Sequence, residues 1–136
     1  MDFSTSLIVA ASGLRAHSDR MRTIAENIAN ANSTAATPGG NPYRRKIPTM
    51  HSDFDRELNA TLVKSGNPVA DNGAFNNKYD PGNPNADAKG YVKLPNVNSL
   101  IEMMDMREAQ RSYEADLTVM DASKTMMART VDLLKK

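Results

Sequence analysis

The chain has no cysteine and no tryptophan among its 136 residues. Without thiols there can be no disulfide framework and no thiolate nucleophile, and the commonest soft metal ligand is missing. Three phenylalanines and four tyrosines are the whole aromatic content, little bulk for a deep globular core. Charge of one sign is lacking too: 17 Lys and Arg stand against 16 Asp and Glu, for a net charge of +1. No long-range field therefore draws the chain to nucleic acid or to an anionic membrane. No apolar run reaches membrane-spanning length, and the start, "MDFSTSLIVAASGLRAHSDR", lacks the basic region and unbroken apolar stretch of a secretory signal. Any export is expected to use a route without a cleavable signal peptide.

Helix breakers are missing from both ends. All seven prolines lie between Pro38 and Pro95, and of the seven glycines only Gly13 lies outside that interval. This predicts a mainly α chain in three parts: an N-terminal helix within 1–32, a β-containing or irregular module over 33–96, and a C-terminal helix within 97–136.

In the first part Phe3, Leu7, Ala10, Leu14, His17, Met21, Ile24, Ile28 and Ala31 recur at alternating steps of four and three. That regularity marks a heptad seam and predicts a helix from about residue 4 to about residue 31. The third part repeats it through Met103, Met106, Gln110, Tyr113, Leu117, Met120, Lys124, Met127, Val131 and Leu134, which predicts a helix from about residue 98 to the end. Ser99 and Glu102 have capping-box spacing, and Lys135 with Lys136 would sit where a helix C-terminus favours cations. A flank of Val119, Ala122, Met126 and Leu133 widens the apolar surface beyond what one partner helix covers.

The stretch "ENIANANST" raises a separate question, because asparagine is a poor interior helix residue. Asn27 lies beside Ile24 and Ile28, where its amide is expected to hydrogen-bond across to a neighbouring helix. Asn30 or Asn32 suits the left-handed turn that closes a helix. The stretch is therefore expected to be a joint. In the middle, "YRRKIPTM" and "GYVKLP" read as short extended pieces. "FDRELNATLVKSG" is ambiguous between helix and strand, and "DNGAFNNKYDPGNPNADAKG" should form turns.

An antiparallel pair of such helices buries one stripe from each, about 2 kcal/mol per fully covered large aliphatic side chain. Ordering costs roughly 1 to 2 kcal/mol for every backbone residue. An isolated two-helix coiled coil is thus marginal, and the surplus flank is expected to pack on other copies or homologous chains. A contact between different faces repeats into a ring or a helical filament. His17, Gln110 and Lys124 interrupt the seams, either to fix register or because they sit at a wet edge. The residues expected to carry assembly are Leu7, Leu14, Met21, Ile24, Asn27, Ile28, Asn30 and Asn32, with Met106, Tyr113, Leu117, Met120, Met127, Val131 and Leu134.

No catalytic, metal-binding or cofactor-binding residue is assigned. His17 and His51 lie in different segments without carboxylates at ligand spacing. The oxygen-rich run Asp80, Asn83, Asn85, Asp87 fails EF-hand spacing and is explained by turns at Pro81, Gly82 and Pro84. No serine sits in a nucleophile frame. Glu102, Asp105 and Glu108 beside Arg107 and Arg111 read as a salt-bridged helix face, and Arg44, Arg45 and Lys46 as a solvated strand or partner contact. Six of the nine methionines lie between Met103 and Met127, where flexible thioethers fill gaps between packed helices.

Two blocks carry a resemblance to a known family. "RMRTIAENIANANST", leading into "PYRRK", resembles the N-terminal signature of bacterial flagellar rod and hook proteins. "DPGNPNADAKGYVKLPNVNSLIEMMDMREAQRSYEADLTVMDASKTMM" is similar to proximal-rod members of that family. Two features depart from the pattern: Asp116 where Asn is expected after "YEA", and a longer connection at "STAATPGGNPYRRK".

The resemblance implies a structural role. Such proteins pass unfolded through the flagellar type III export apparatus and build a hollow periplasmic rod that transmits torque from the motor's membrane ring to the distal rod and hook. Their terminal helices form an inner coiled-coil layer, with the middle segment outside it. The implied partners are other proximal and distal rod proteins, the adapter joining rod to membrane ring, and copies of the chain itself, with no nucleic acid, cofactor or small-molecule substrate. A subunit of another type III rod or needle shares the helical logic but usually lacks the "GYVKLPNVN" module. A small calcium-binding or hydrolytic domain is the alternative of another class.

Overall fold

A computed structural model describes residues 3–135. Two helices, α1 (Phe3–Ala29) and α2 (Ser99–Leu134), bracket six short strands: β1 (Lys46–Ile47), β2 (Met50–Asp55), β3 (Ala60–Ser65), β4 (Val69–Ala70), β5 (Asn76–Tyr79) and β6 (Tyr91–Leu94). The mainly α class, with a small strand-bearing segment between long terminal helices, agrees with the sequence. Lys135 follows the last residue of α2, and Lys136 lies outside the described residues.

The strands form three separate antiparallel ribbons, β1 with β4, β2 with β3 and β5 with β6. The ambiguous "FDRELNATLVKSG" is a hairpin. Asp55 Oδ1 accepts the amides of Glu57 (2.9 Å) and Leu58 (3.1 Å), and Asn59 turns the chain at φ 48°. An Asx turn followed by a left-handed asparagine reverses the backbone before a second helical turn can form.

The chain divides into two compact units, and both helices contribute to each. One contains α1 up to Met21, the hairpin region Thr49–Asn67 and α2 from Arg107 onward. Here the helices run antiparallel, with Gly13 and His17 beside Asp116 and Arg20 beside Glu108. They meet through small residues: Ala10, Gly13, Ala16, Ala109 and Ser123 are all buried. Val63 of β3 donates its amide to Ser12 Oγ (3.2 Å), and the Ser65 hydroxyl donates to Asp19.

The other unit contains Arg22–Pro48 and Pro68–Met106. Its buried apolar residues include Ile24, Ala31, Val92 and Val97. Asn98, not a Ser99–Glu102 capping box, starts α2: its Oδ1 accepts the amides of Leu100 (3.1 Å) and Ile101 (3.4 Å). Glu102 is thereby left for another task. Nor does a left-handed residue close α1, because Asn59 is the only non-glycine with positive φ among the described residues. The end is instead held by Asn30 Nδ2 donating to Glu26 O (2.9 Å) and by Ser33 N and Oγ donating to Asn30 O (3.1 and 2.8 Å). The Ser33 bonds occupy a carbonyl that a helix C-terminus leaves unpaired.

Candidate functional site: a buried polar joint and an uncovered helix face

Asn27 is fully buried, at 0% exposure. Its Oδ1 accepts the Tyr43 hydroxyl (2.8 Å) and the Lys46 amide (2.9 Å), while its Nδ2 donates to Lys46 O (2.8 Å) and Glu102 Oε2 (3.0 Å). An asparagine amide has two acceptor and two donor places, and all four are filled. Toward Lys46 the amide acts as a short strand would, engaging both the N–H and C=O of one residue. One side chain of α1 thus holds the start of β1 and the first turns of α2.

Glu102, 1% exposed, carries a second layer. Its Oε1 accepts Arg45 Nε at 2.6 Å, and the same guanidinium reaches Asp71 at 3.4 Å and Asp105 at 3.9 Å. Arg45 N donates to Asn96 Oδ1 (2.9 Å). Arg44 Nη1 donates to Asp71 O (2.8 Å) and Gly73 O (3.1 Å), with its guanidinium 4.3 Å from the centre of the Phe75 ring. Asp71 is held below the usual carboxylate range, mainly by the Gly73 amide and then by Arg45. The Glu102 hydrogen bond pushes the Arg45 pKa up.

Of the two readings of the basic run, the solvated strand does not hold for Arg44 and Arg45, whose guanidinium groups are engaged within the chain, and Glu102 does not belong to an exposed salt-bridged face. Its carboxylate is taken inward by Asn27 and Arg45, one residue before the exposed Met103.

Burial pushes the Tyr43 phenol up to about 12, helped by the nearby Glu26 and Glu102 carboxylates. Its folded value lies above its unfolded one, so this contribution to stability is present below pH ~10 and is lost as pH rises through the folded value. An absorbance titration should show a late phenol ionisation near the raised Tyr43 value of about 12, and Tyr43→Phe should remove that late step. A late step that survives in Tyr43→Phe would assign it elsewhere.

In the other unit, a Cβ added at Gly13 would run into the Asp116 carboxylate, 3.1 Å from its Cγ. Asp116 Oδ2 lies 3.8 Å from His17 Nε2, and neither Asp116 Oδ2 nor His17 Nδ1 has a hydrogen-bond partner. His17 thus faces α2 at a tight crossing. Gly13→Ala should lower the melting temperature, although alanine is the better helix former by about 1 kcal/mol. With Asp116→Ala in the background the same substitution should raise it. The same sign in both backgrounds would show that Asp116 is not what requires glycine.

The expected assembly residues divide by exposure. Ile24 and Asn27 are buried; Leu7, Leu14, Met21, Ile28, Asn30, Met106, Tyr113, Met120 and Met127 are half-buried; Asn32, Leu117, Val131 and Leu134 are exposed. On α2 the row turned toward α1 contains Glu102, Ala109, Asp116 and Ser123. Each lies one position before a member of the expected seam: Met103, Gln110, Leu117 and Lys124, all exposed. The short side chains of Ala109 and Ser123 let the helices approach, and larger apolar residues remain outside. Leu100, Ile101, Met103, Met104, Val119, Met126 and Leu133 are all uncovered, Leu133 at 74%. Among the described residues, no helix is long and apolar enough to cross a membrane.

Residues 7–36 match the family described as "Flagella basal body rod protein", and residues 88–133 match "Flagellar basal body rod FlgEFG protein C-terminal". The chain is 53% identical over 127 residues to the flagellar basal-body rod protein FlgC of Agrobacterium fabrum, covering 93% of this chain and 91% of that one. It is 39% identical over 145 residues to the FlgC of Bacillus subtilis (96% and 97% covered) and 37% identical over 135 residues to that of Aquifex aeolicus (99% of each). The first match contains Asn27, and the second contains Glu102 and the uncovered face of α2.

Proposed function

The chain belongs to the FlgC family of flagellar basal-body rod proteins, and from that membership we propose that it polymerises through its terminal helices into the hollow proximal rod. It is a structural component of the flagellar basal body, not an enzyme, and it assembles with other rod components and with itself. The observation that carries the proposal further is the uncovered apolar length of α2. Exposed apolar side chains spread over more than thirty residues, from Leu100 to Leu134, are costly in water and are stabilised by burial at about 25 cal/mol per Å².

On this reading the segments 1–32 and 97–136 make an inner coiled-coil layer and 33–96 packs outside it. The joint at Asn27 ties the outer segment to both helices. The assembly surface comprises the half-buried and exposed residues among those named from the sequence, with Leu117, Val131 and Leu134 available to neighbours, while the buried Ile24 and Asn27 act inside the subunit. Partners are neighbouring proximal and distal rod proteins, further copies, and the adapter to the membrane ring. The chain reaches the periplasm through the flagellar type III apparatus and links the motor's membrane ring to the distal rod and hook.

Mixing the purified chain with its neighbouring rod proteins should give tubular particles in electron micrographs. The outer half of α2 should be protease-sensitive before mixing and protected afterwards, because folding and assembly are coupled. A chain that stayed a monomer with resistant ends in every mixture would end the proposal.

A further inference from the structure

We propose that the outer edge of β2 pairs with β2 of a second copy of the chain, antiparallel and about a two-fold axis at Ser52. The contact belongs to the free chain and does not rest on the rod-subunit reading. β2 and β3 form a two-stranded ribbon, and among the described residues no strand lies on the other side of β2. The Val63 amide donates to Ser12 Oγ (3.2 Å) and not into the ribbon, so Val63 and the Ser52 opposite it are a non-hydrogen-bonded pair. By the alternation of an antiparallel ladder, Met50, Ser52 and Phe54 then turn their N–H and C=O groups away from β3. α1 meets the hairpin at the opposite edge, at Val63 and Ser65, which leaves the β2 edge open.

Such an edge is a template for another strand, and the residues along it select a second copy in one register. With Ser52 facing the second copy's Ser52, Met50 faces Phe54, His51 faces Asp53 and Thr49 faces Asp55, each in both directions. Met50 (42% exposed) and Phe54 (57%) lie on one face of β2 and cover each other, thioether against ring. On the other face an imidazole meets a carboxylate, and an imidazole has an N–H to donate whether neutral or protonated. Asp53 already pairs with Lys64 across the hairpin at 2.5 Å, so it comes to lie between Lys64 and the second copy's His51. Sliding the register by two residues sets Asp53 against Asp53 in one direction and His51 against His51 in the other, and like groups directly opposed are unfavourable. Pro48, which has no N–H, falls opposite Arg56 in the turn, so the pairing ends where the strand does.

A contact between like surfaces closes on two copies. It is therefore distinct from the propagating contact that a rod requires, and in the free chain it covers an edge that otherwise invites open-ended association. Little more than one strand of each copy is buried, so the dimer should be weak and should appear on concentration.

Because the chain has no cysteine, introduced thiols report on the register without ambiguity. Ser52→Cys, Met50→Cys and Phe54→Cys each alter an exposed position, and unchanged circular dichroism would establish that the fold is kept. At the two-fold axis facing Cα atoms lie about 5.5 Å apart, within disulfide reach, whereas the two copies of Met50 are offset by about 13 Å along the strand. Under mild oxidation Ser52→Cys should dimerise at least about tenfold faster than Met50→Cys or Phe54→Cys, and a mixture of the latter two should cross-link to each other faster than either does to itself. In the Ser52→Cys background, His51→Asp or Asp53→His should slow dimerisation, because each sets like groups face to face, and the two together should restore it. Equal rates for the three thiols, or a double exchange as slow as the singles, would overturn the contact. So would sedimentation of the unsubstituted chain that passed beyond a dimer on concentration. Each of these results leaves the rod reading standing, since that reading is tested by mixing with neighbouring rod proteins.

Discussion

Replacing Asn27 by alanine is expected to lower the stability of the folded chain by on the order of 3 kcal/mol, without removing α1. The substitution strands the N–H and C=O of Lys46 and one oxygen of the Glu102 carboxylate, and frees the Tyr43 hydroxyl. Each buried polar group left unpaired costs about 1 to 3 kcal/mol. For a chain of this length that is a fall in melting temperature of roughly 10 °C. Intrinsic helix propensity acts in the opposite direction, since alanine is the best helix former and asparagine a poor one. A rise in melting temperature would therefore mean that Asn27 matters only through propensity. Asn27→Asp sharpens the test. It keeps the shape and the acceptor but turns an oxygen toward Lys46 O and Glu102 Oε2, where Nδ2 donates at 2.8 and 3.0 Å. At neutral pH the aspartate should be at least as damaging as alanine. It should recover in part on acidification, as a protonated carboxyl regains one donor.

This joint shows what a one-dimensional reading can and cannot reach. Asn27 stands out in sequence because it interrupts a helical pattern, yet its partners Tyr43, Lys46 and Glu102 lie 16, 19 and 75 positions away. Arg45 and Glu102 are 57 positions apart, and each has a nearer explanation: the first in a basic run, the second in a row of helical carboxylates. A carboxylate one position from the exposed Met103 looks solvated until the helix is rotated into place. The helices themselves were legible because prolines avoid them and apolar residues keep their period. The α2 stripe was legible only to within one residue, because apolar bulk is a poor guide to which face meets its partner when the contact is made by Ala109 and Ser123. The hairpin at Asp55–Asn59 carried its turn residues openly, but "FDRELN" also satisfies a helix. What decided it is the Asx turn, whose hydrogen bonds compete directly with those of a helix.

The coupling between Arg45 and Glu102 should be the second large effect, and a double-mutant cycle isolates it. Arg45→Met leaves a carboxylate at 1% exposure with only Asn27 Nδ2 as donor, and removing one partner of a buried pair costs about 3 to 5 kcal/mol. Glu102→Leu should cost less. It orphans one Asn27 donor, but Arg45 keeps Asp71 and Asp105 within 3.4 and 3.9 Å and stays partly open to water. The double substitution replaces both charges by apolar groups of similar length, so its loss should fall well short of the sum of the singles, by roughly 2 kcal/mol or more. Arg45→Lys is not a conservative change here. One ammonium cannot place a donor on Glu102 while a fork reaches Asp71 and Asp105, so lysine should recover less than half of the loss seen with methionine. Salt separates this pair from those on the surface: at 1 M NaCl the exposed Lys64–Asp53 contact is screened, while the Arg45–Glu102 coupling should be largely retained. If the singles added to the double within about 0.5 kcal/mol, the two side chains would be neighbours without being partners. The joint would then rest on Asn27 alone.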